Sequence, residues 1–452
     1  MNCSSESERS LSNVDKKLFA ENEKVFTKAE AIAEASRCLQ CENAPCMNGC
    51  PTTINIPLFV KRIKEDHVDL ALETIKASNT MPFACSRLCP TERMCQGGCS
   101  IVLDKPIQIA KLERYAYENG KFTPPMGKKK YKKVAVIGSG PAGLSCSEDL
   151  AVLGYEVTIF EALHSPGGIL RFGIPNFRFP HSLISEYISS LESLGVKIIP
   201  NSVVGRLLSL PELKKKFSAV FIATGSNIPT YMNREGEHLQ NILTANEFLY
   251  RINMIEQHLI DPKNELFRPQ KVIVVGGNDA GLDAARVLVR LGAKVTVLFE
   301  RSLNEMEACW KNIAQSREEG IDFLFLCVPK RYCGKTKVET VEILQMKMEE
   351  DEIGNKVAVE IEGSEFVETA DLVILSHGTT ASPIVVQQSP ISHNLRGNIF
   401  VDETLMTSVE GIFSGGAVTG TTTVVDAIAL GKRAAVSIDT FLNKKEIEVK
   451  NE

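Results

Sequence analysis

Apolar positions along the chain follow two patterns, which change over at about residue 125. Before that point the spacing is helical. "FTKAEAIAEASRCLQC" (26–41) sets alanines and charges at intervals of three and four. "IPLFVKRIKEDHVDLALETIKASN" (56–79) reads as one amphipathic helix or a pair, and "PIQIAKLERYAYENG" (106–120) as another that stops near Gly120. After the Gly/Pro/Lys-rich connector "GKFTPPMGKKKYKK" (120–133), β-branched runs alternate with helices. "KKVAVIGSGPAGLSCSEDLAVLGYEVTIFE" (132–161) predicts a strand, a glycine turn, a helix and a second strand. The same unit returns as "QKVIVVGGNDAGLDAARVLVRLGAKVTVLFER" (270–301). "AVFIATGS" (219–226) and "DLVILSHGTT" (371–380) are short apolar strands, each ending in a glycine turn. Residues 398–442 read as strand, strand, Gly-rich turn and helix, returning to complete the first α/β domain.

The predicted fold class is therefore α/β, with a helical domain ahead of two Rossmann-like dinucleotide-binding domains, the second inserted into the first. Expected boundaries are 1–130 (helical), 131–248 and 381–452 (first α/β domain), and 249–380 (second). Composition adds mostly exclusions. The chain has 452 residues, 44% of them hydrophobic and 24% charged, with a net charge of −5. It lacks the basic excess of a nucleic-acid-binding protein. No stretch approaches the ~20 apolar residues of a membrane span. The polar start "MNCSSESERSLSNVDKK" does not read as a secretory signal or transit peptide, so a cytoplasmic location with reduced thiols is expected.

The thiols change the picture. Eight of the thirteen cysteines lie between Cys38 and Cys99. They fall in two groups: Cys38, Cys41, Cys46 and Cys50-Pro51, then Cys85, Cys89-Pro90, Cys95 and Cys99. A disulfide framework suits a short secreted chain better than this one. Structural zinc usually repeats a Cys-x2-Cys pair, often with histidines, and only His67 is near. Thiolates at short spacing with a Cys-Pro ending favour iron–sulfur clusters over both.

In the first α/β unit, Gly138-x-Gly140-x-x-Gly143 follows a strand and opens a helix, and Glu161 ends the second strand. These are the parts that hold a pyrophosphate and a ribose diol. In the second unit Gly276 and Gly281 keep the outer positions, and Asn278 takes the middle one, where a left-handed backbone would suit it. Phe299 replaces the acid, and Glu300 and Arg301 follow. The lost acid and the new arginine point to a 2′-phosphate, hence NADP, with Glu300 opposing it and NAD as the alternative.

The order of cysteine groups, "VIGSGPAGL", "GGILRFGIPNFRFP", "FIATG", "LTANEFL", "IEGSEFV" and "VDETLMTSVEGIF" resembles the small subunit of glutamate synthase and its stand-alone relatives. These include the large subunit of NADH-dependent ferredoxin:NADP oxidoreductase; the N-terminal half of dihydropyrimidine dehydrogenase is a more distant cousin. The resemblance covers Cys38 to Leu442. It implies an NAD(P)H-dependent iron–sulfur flavoprotein oxidoreductase with FAD, NADP and two 4Fe–4S clusters. Cys38, Cys41, Cys46 and Cys99 would hold one cluster. Cys50, Cys89 and Cys95 would hold the other, with Glu113 at a position where the family has Gln or Glu; Cys85 is left over as a buried spare.

FAD would be met by Gly138, Ser139, Gly140, Pro141, Ala142, Gly143 and Glu161, by Gly168, Leu170, Arg171 and Arg178, and by Gly225, Gly415, Gly416 and Thr423. The nicotinamide nucleotide would be met by Gly276, Gly277, Asn278, Asp279, Ala280, Arg301 and Gly378. Relatives carry a Gly-Gly-Asp turn near the C-terminus; here Gly416 runs straight to Ala417, one residue short. The resemblance implies a hydride passed from nicotinamide to flavin and single electrons passed onward, with no protein acid or base. The acceptor would be ferredoxin or another small carrier, or a catalytic partner subunit that this chain feeds. A disulfide reductase would need a Cys pair beside the flavin, and the spacing of Cys309, Cys327 and Cys333 supplies none.

Overall fold

The computed structural model describes residues 20–21, 23–257, 259, 269–351, 354–387 and 389–451. The chain divides into two compact units. One comprises 22–171, 178–228 and 380–452; the other comprises 229–379 with the short segment 172–177.

The larger unit begins with helices. α1 (Lys28–Ser36) starts at Thr27, whose hydroxyl accepts from the Glu30 N–H while Glu30 returns a bond to the Thr27 N–H, a capping box. α2 (Pro45–Asn48) is one turn. The expected pair then appears as α3 (Ile56–Lys64) and α4 (Val68–Ser78), broken at Asp66, whose φ is 64°. α5 (Pro82–Leu88) and α6 (Ile109–Asn119) complete the group, and α6 ends against Gly120 as its sequence predicts. Phe59, Ile63, Ile75 and Leu112 form the core beneath, with Cys38, Cys46, Cys50 and Cys99 packed at its edge.

The same unit continues into a five-stranded parallel sheet ordered β16-β4-β1-β2-β3: β1 (Lys133–Ile137), β2 (Glu156–Phe160), β3 (Lys197–Ile199), β4 (Ala219–Ile222) and β16 (Ile412–Ser414). α7 (Pro141–Val152) links β1 to β2. The helical turn α8 (Ile169–Phe172), α9 (His181–Ser193) and α10 (Leu210–Lys216) come later, and α14 (Val424–Asn451) closes the unit. α14 and α7 touch at the backbone: a Cβ on Gly431 would lie 2.3 Å from the Ala142 carbonyl oxygen. Strands β1 and β4 are buried along their apolar residues, as parallel strands covered on both faces must be.

The chain leaves through β5 (Ile228–Pro229) and returns through β15 (Thr379–Thr380). Between them lies a second parallel sheet, β6-β14-β7-β8-β9. Its strands are β6 (Ile242–Thr244), β7 (Lys271–Val275), β8 (Lys294–Phe299), β9 (Asp322–Phe325) and β14 (Leu372–Leu375). Helices α11 (Ala245–Glu256), α12 (Asp279–Arg290) and α13 (Trp310–Glu318) pack on it. An antiparallel sheet follows β9, in which the long β11 (Thr340–Glu350) pairs with β10 (Cys327–Cys333), β12 (Lys356–Glu360) and β13 (Phe366–Thr369). The insertion is as expected, but its first boundary falls at 228/229 instead of 248/249. The reason is β6, which pairs with β14 and so belongs to the second sheet.

Candidate functional site

The cysteines converge because two loops meet backbone to backbone. A Cβ on Gly49 would stand 2.7 Å from the Met94 carbonyl oxygen, and one on Gly98 2.9 Å from the Pro45 carbonyl oxygen. Only glycine allows that approach, and it brings residues 46–50 against 94–99. Cys38, Cys41, Cys46 and Cys99 line one cavity with Leu39, Ile56 and Ile107. Burial raises the Cys38 thiol, and it pushes the Cys46 thiol up to about 11 with help from Cys38 and Cys99. Binding a metal requires such thiols to give up their protons. Among the described residues, no three His, Cys, Asp or Glu side chains close on a single ion. Four thiols around one cavity fit the larger group.

The second group is more deeply set. Cys50, Cys85, Cys89, Cys95 and Glu113 lie close enough for their charges to act on one another. Glu113 sits on α6, fully buried, and burial pushes its carboxyl up to about 8 against one hydrogen bond from the Asn79 amide at 2.9 Å. Asn79 in turn accepts from the Met81 N–H at 3.0 Å, which locks it at the start of α5. Cys85 is buried as expected, beside Cys89, Asn79 and Glu113.

In the first α/β unit the glycines behave as the motif requires. Gly138 has φ of 101°, and a Cβ there would meet the Ala223 carbonyl oxygen at 2.4 Å; one on Gly143 would meet the Gly138 carbonyl oxygen at 2.0 Å. Gly140 caps α7 with open space beside it. Ser139, Pro141 and Ala142 complete the loop and first turn. Glu161 accepts from the Ser139 N–H at 2.9 Å, from the Ser139 hydroxyl and from the Leu163 N–H at 2.8 Å. A carboxylate has about four lone-pair sites, so one remains for a ribose hydroxyl. Ser139 also accepts from Gly167 N–H at 3.0 Å, and Gly168 (φ 52°) lies against Gly140, tying the glycine loop to the segment that carries Leu170. Leu170 is fully buried in that segment. Arg171 donates to the Pro166 carbonyl at 2.6 Å and to Ser185 at 3.0 Å, and Arg178 is half-buried beyond it.

Gly225 (φ 74°) follows β4. Gly415 and Gly416 (φ 85°) lead into a 3-10 turn at Ala417–Thr419, and Gly416 faces Ala142. Thr423 accepts from the Asp426 N–H at 3.1 Å and so starts α14. Two residues that the sequence did not single out stand beside these loops. The hydroxyls of Thr224 and Thr421 are buried without a hydrogen-bond partner, as groups awaiting a ligand would be. Open space at Gly140, a helix N-terminus and these two hydroxyls fit a flavin dinucleotide.

The second unit repeats the plan with one change. Asn278 is not left-handed: its φ is −92° and ψ 169°. It serves as the N-cap of α12. Its side-chain oxygen accepts from the Gly281 N–H at 3.0 Å and from the Ser376 hydroxyl at 2.6 Å, and its amide donates to the Ser376 carbonyl at 2.8 Å. The middle position of the motif is extended in both units, so Asn fits there as a cap. Gly277 packs on the Phe299 ring. Asp279 turns toward Asn312, accepting its amide at 2.9 Å, while Ala280 lies in the first turn of α12. Arg301 sits over the Phe299 ring with its Nε 3.6 Å from Glu300. That Nε is buried and makes no hydrogen bond. Gly276, Gly277, Asn278, Glu300, Arg301 and Gly378 share a cleft. A glycine loop, a helix N-terminus and a guanidinium in one cleft fit a nicotinamide dinucleotide.

Cys327 and Cys333 open and close one seven-residue strand, roughly 20 Å long at strand rise, and cannot pair. Cys309 caps α13 beside Asp279. No helix is long and apolar enough to cross a membrane among the described residues.

Comparison with known proteins agrees with this geometry. Residues 15–123 match the family model described as dihydropyrimidine dehydrogenase domain II, 4Fe-4S cluster, and residues 132–434 that of pyridine nucleotide-disulphide oxidoreductase. The chain is 33% identical to the glutamate synthase [NADPH] small chain of Azospirillum brasilense, covering 94% of this chain and 92% of the relative. It is 34% identical to the NAD-dependent dihydropyrimidine dehydrogenase subunit PreT of Escherichia coli K12, covering 92% and 95%. Among solved structures, FprA from Mycobacterium tuberculosis (His57Gln mutant) superposes with a TM-score of 0.62 at 19% identity, over 71% of this chain and 86% of that one, a likeness of fold. The chain belongs to the pyridine nucleotide oxidoreductases that carry an N-terminal 4Fe-4S domain, the family of the glutamate synthase small chain.

Proposed function

We propose that this oxidoreductase takes a hydride from NADPH, with NADH as the lesser donor, and delivers single electrons to a protein acceptor through two 4Fe–4S clusters. One observation carries the proposal: four cysteines around one cavity, with Cys50, Cys89, Cys95 and Glu113 gathered beside them, stand in the same compact unit as a flavin-type glycine loop. Cys38, Cys41, Cys46 and Cys99 hold one cluster; Cys50, Cys89, Cys95 and Glu113 hold the other. FAD and nicotinamide, when bound, supply hydride chemistry, and the clusters supply one-electron conduction. The chain's own part is geometric. Its glycine loops admit the pyrophosphates, Glu161 takes a ribose hydroxyl, Arg301 meets a 2′-phosphate, and the mostly half-buried cysteines hold the clusters. No side chain is assigned a proton-transfer role. The functional domains are the helical cluster domain to about residue 130, the FAD domain in two parts, and the nucleotide domain at 229–379.

The acceptor is ferredoxin or another small carrier. A second proposal has support in the relatives' names, which describe a synthase small chain and a dehydrogenase subunit: this chain is then the electron-input subunit of a larger enzyme. Anaerobically purified chain separates the two. Under the first proposal the chain alone reduces added ferredoxin with NADPH at a rate comparable to its reduction of an artificial dye. Under the second it reduces the dye and not ferredoxin, and an anaerobic pull-down recovers a catalytic subunit. Failure to reduce any acceptor refutes both.

A further inference from the structure

The two α/β units are built on one register, and that allows each position in one to be compared with its equivalent in the other. β1 runs beside β4 with Ile137 opposite Ile222; β7 runs beside β14 with Val275 opposite Leu375. Just beyond, a Cβ on Gly138 would strike the Ala223 carbonyl oxygen at 2.4 Å, and one on Gly276 the Ser376 carbonyl oxygen at 2.3 Å. Ala223 therefore corresponds to Ser376, Thr224 to His377, and Gly225 (φ 74°) to Gly378 (φ 80°). At this shared position both units present a buried polar atom without a hydrogen-bond partner, the Thr224 hydroxyl in one and His377 Nε2 in the other. Native structures leave few such atoms unsatisfied, and each one calls for an explanation. The same orphan at the same register in both halves of a duplicated plan points to a shared use.

Position decides which part of the ligand His377 meets. In open α/β sheets the dinucleotide crosses the carboxyl ends of the strands at the point where strand order reverses. Here that point is β7, with β8 on one flank and β14 on the other. Arg301 follows β8 and His377 follows β14, so they stand on opposite sides of the Gly276 loop within one cleft. A pyrophosphate on that loop sends one nucleoside to each side. If Arg301 meets the adenosine 2′-phosphate, the nicotinamide half lies on the His377 side.

We infer that His377 is a cofactor-binding residue of the nucleotide cleft, donating its Nε2 proton to a phosphate or ribose oxygen of the nicotinamide half. The inference rests on the cleft being the NAD(P)H site. Burial holds the imidazole below its usual range despite Glu237 and Glu300, which favours the neutral ring. A neutral ring has one N–H to give.

Binding to the flavin-loaded protein tests it, using NADP+ beside 2′,5′-ADP, which carries the adenosine half alone, and NAD+ beside 5′-AMP so that either cofactor is covered. His377→Phe keeps the ring volume and removes the polar atoms. It should weaken the full dinucleotide about fivefold to a hundredfold and change the adenosine fragment by less than about twofold. His377→Gln should recover part of the loss, whereas Arg301→Ala should weaken NADP+ and 2′,5′-ADP together. Equal loss of dinucleotide and fragment in His377→Phe, or no loss of either, overturns the assignment. A wild type that binds none of the four probes removes the nucleotide cleft itself, and the assignment falls with it.

Discussion

Lys76 is the residue whose loss should say most about how the cysteine-rich helices are joined to the flavin-type fold. Its ammonium donates to Glu148 of α7 at 2.7 Å and to the Thr80 carbonyl at 2.7 Å, and the Tyr187 hydroxyl of α9 donates to the other oxygen of Glu148. Lys76 and Glu148 are only 16% and 8% exposed. Thr80 adds a bond to Ser145 at 2.9 Å, and Phe83 of α5 lies 5.2 Å from the Tyr187 ring and 6.0 Å from that of Phe179. Lys76→Met leaves the carboxylate, of these contacts, with the Tyr187 hydroxyl alone. Breaking a buried pair from one side costs about 3–5 kcal/mol. At 1.4 kcal/mol per factor of ten, the α4–α7 contact should open roughly a hundredfold to a few thousandfold more often. Hydrogen-exchange mass spectrometry on peptides covering 68–88 and 141–152 reads that change. Glu148→Gln on the Lys76→Met background should restore much of the protection, because no buried charge is then stranded. α5 ends at Cys89, so the loosened variant should still reduce its flavin with NADPH but pass electrons to the clusters more slowly. A change in exchange of less than about fivefold would show that the pair behaves like an exposed one, and the reasoning fails.

Three further outcomes are expected. Gly143→Ala places a methyl 2.0 Å from the Gly138 carbonyl oxygen, so the purified protein should lose most of its FAD; full flavin content would contradict the close packing. Arg301→Ala should lower kcat/KM for NADPH by about tenfold to a hundredfold and leave NADH nearly unchanged, since a charged hydrogen bond is worth roughly 1.5–3 kcal/mol. Glu300→Arg should sharpen the NADPH preference. Glu113, raised to about 8 by burial, costs the cluster-free fold stability as pH rises from near 4.5 through 8, because the unfolded chain ionises it first. Glu113→Gln should therefore stabilise that form by several kcal/mol at pH 9 and by little at pH 4, as urea unfolding would show.

Spacing made much of this molecule legible. Gly138, Gly140 and Gly143 between a strand and a helix, and cysteines three to six residues apart, constrain backbone and ligand alike, so their meaning survives without coordinates. Asn278 belongs to a residue type shared by two roles, left-handed turn and helix cap, and only its φ of −92° separates them. The domain boundary was missed because β6 is three residues long, too short for any periodicity, and its membership depends on pairing with β14 far along the chain. Asn79 acquires a role only once α5 and α6 pack. Thr224, Thr421 and His377 are unremarkable letters until burial leaves their polar atoms without partners.

We propose electron flow from a nicotinamide to iron–sulfur clusters within this one chain. It is tested most directly by adding NADPH anaerobically to the purified, flavin-loaded protein and freezing samples for EPR. About eight iron and eight acid-labile sulfide atoms per chain are expected, with reduced-cluster signals that grow in after the flavin absorbance has bleached. Zinc in place of iron and sulfide, or a bleached flavin with no cluster signal at any NADPH concentration, would contradict it.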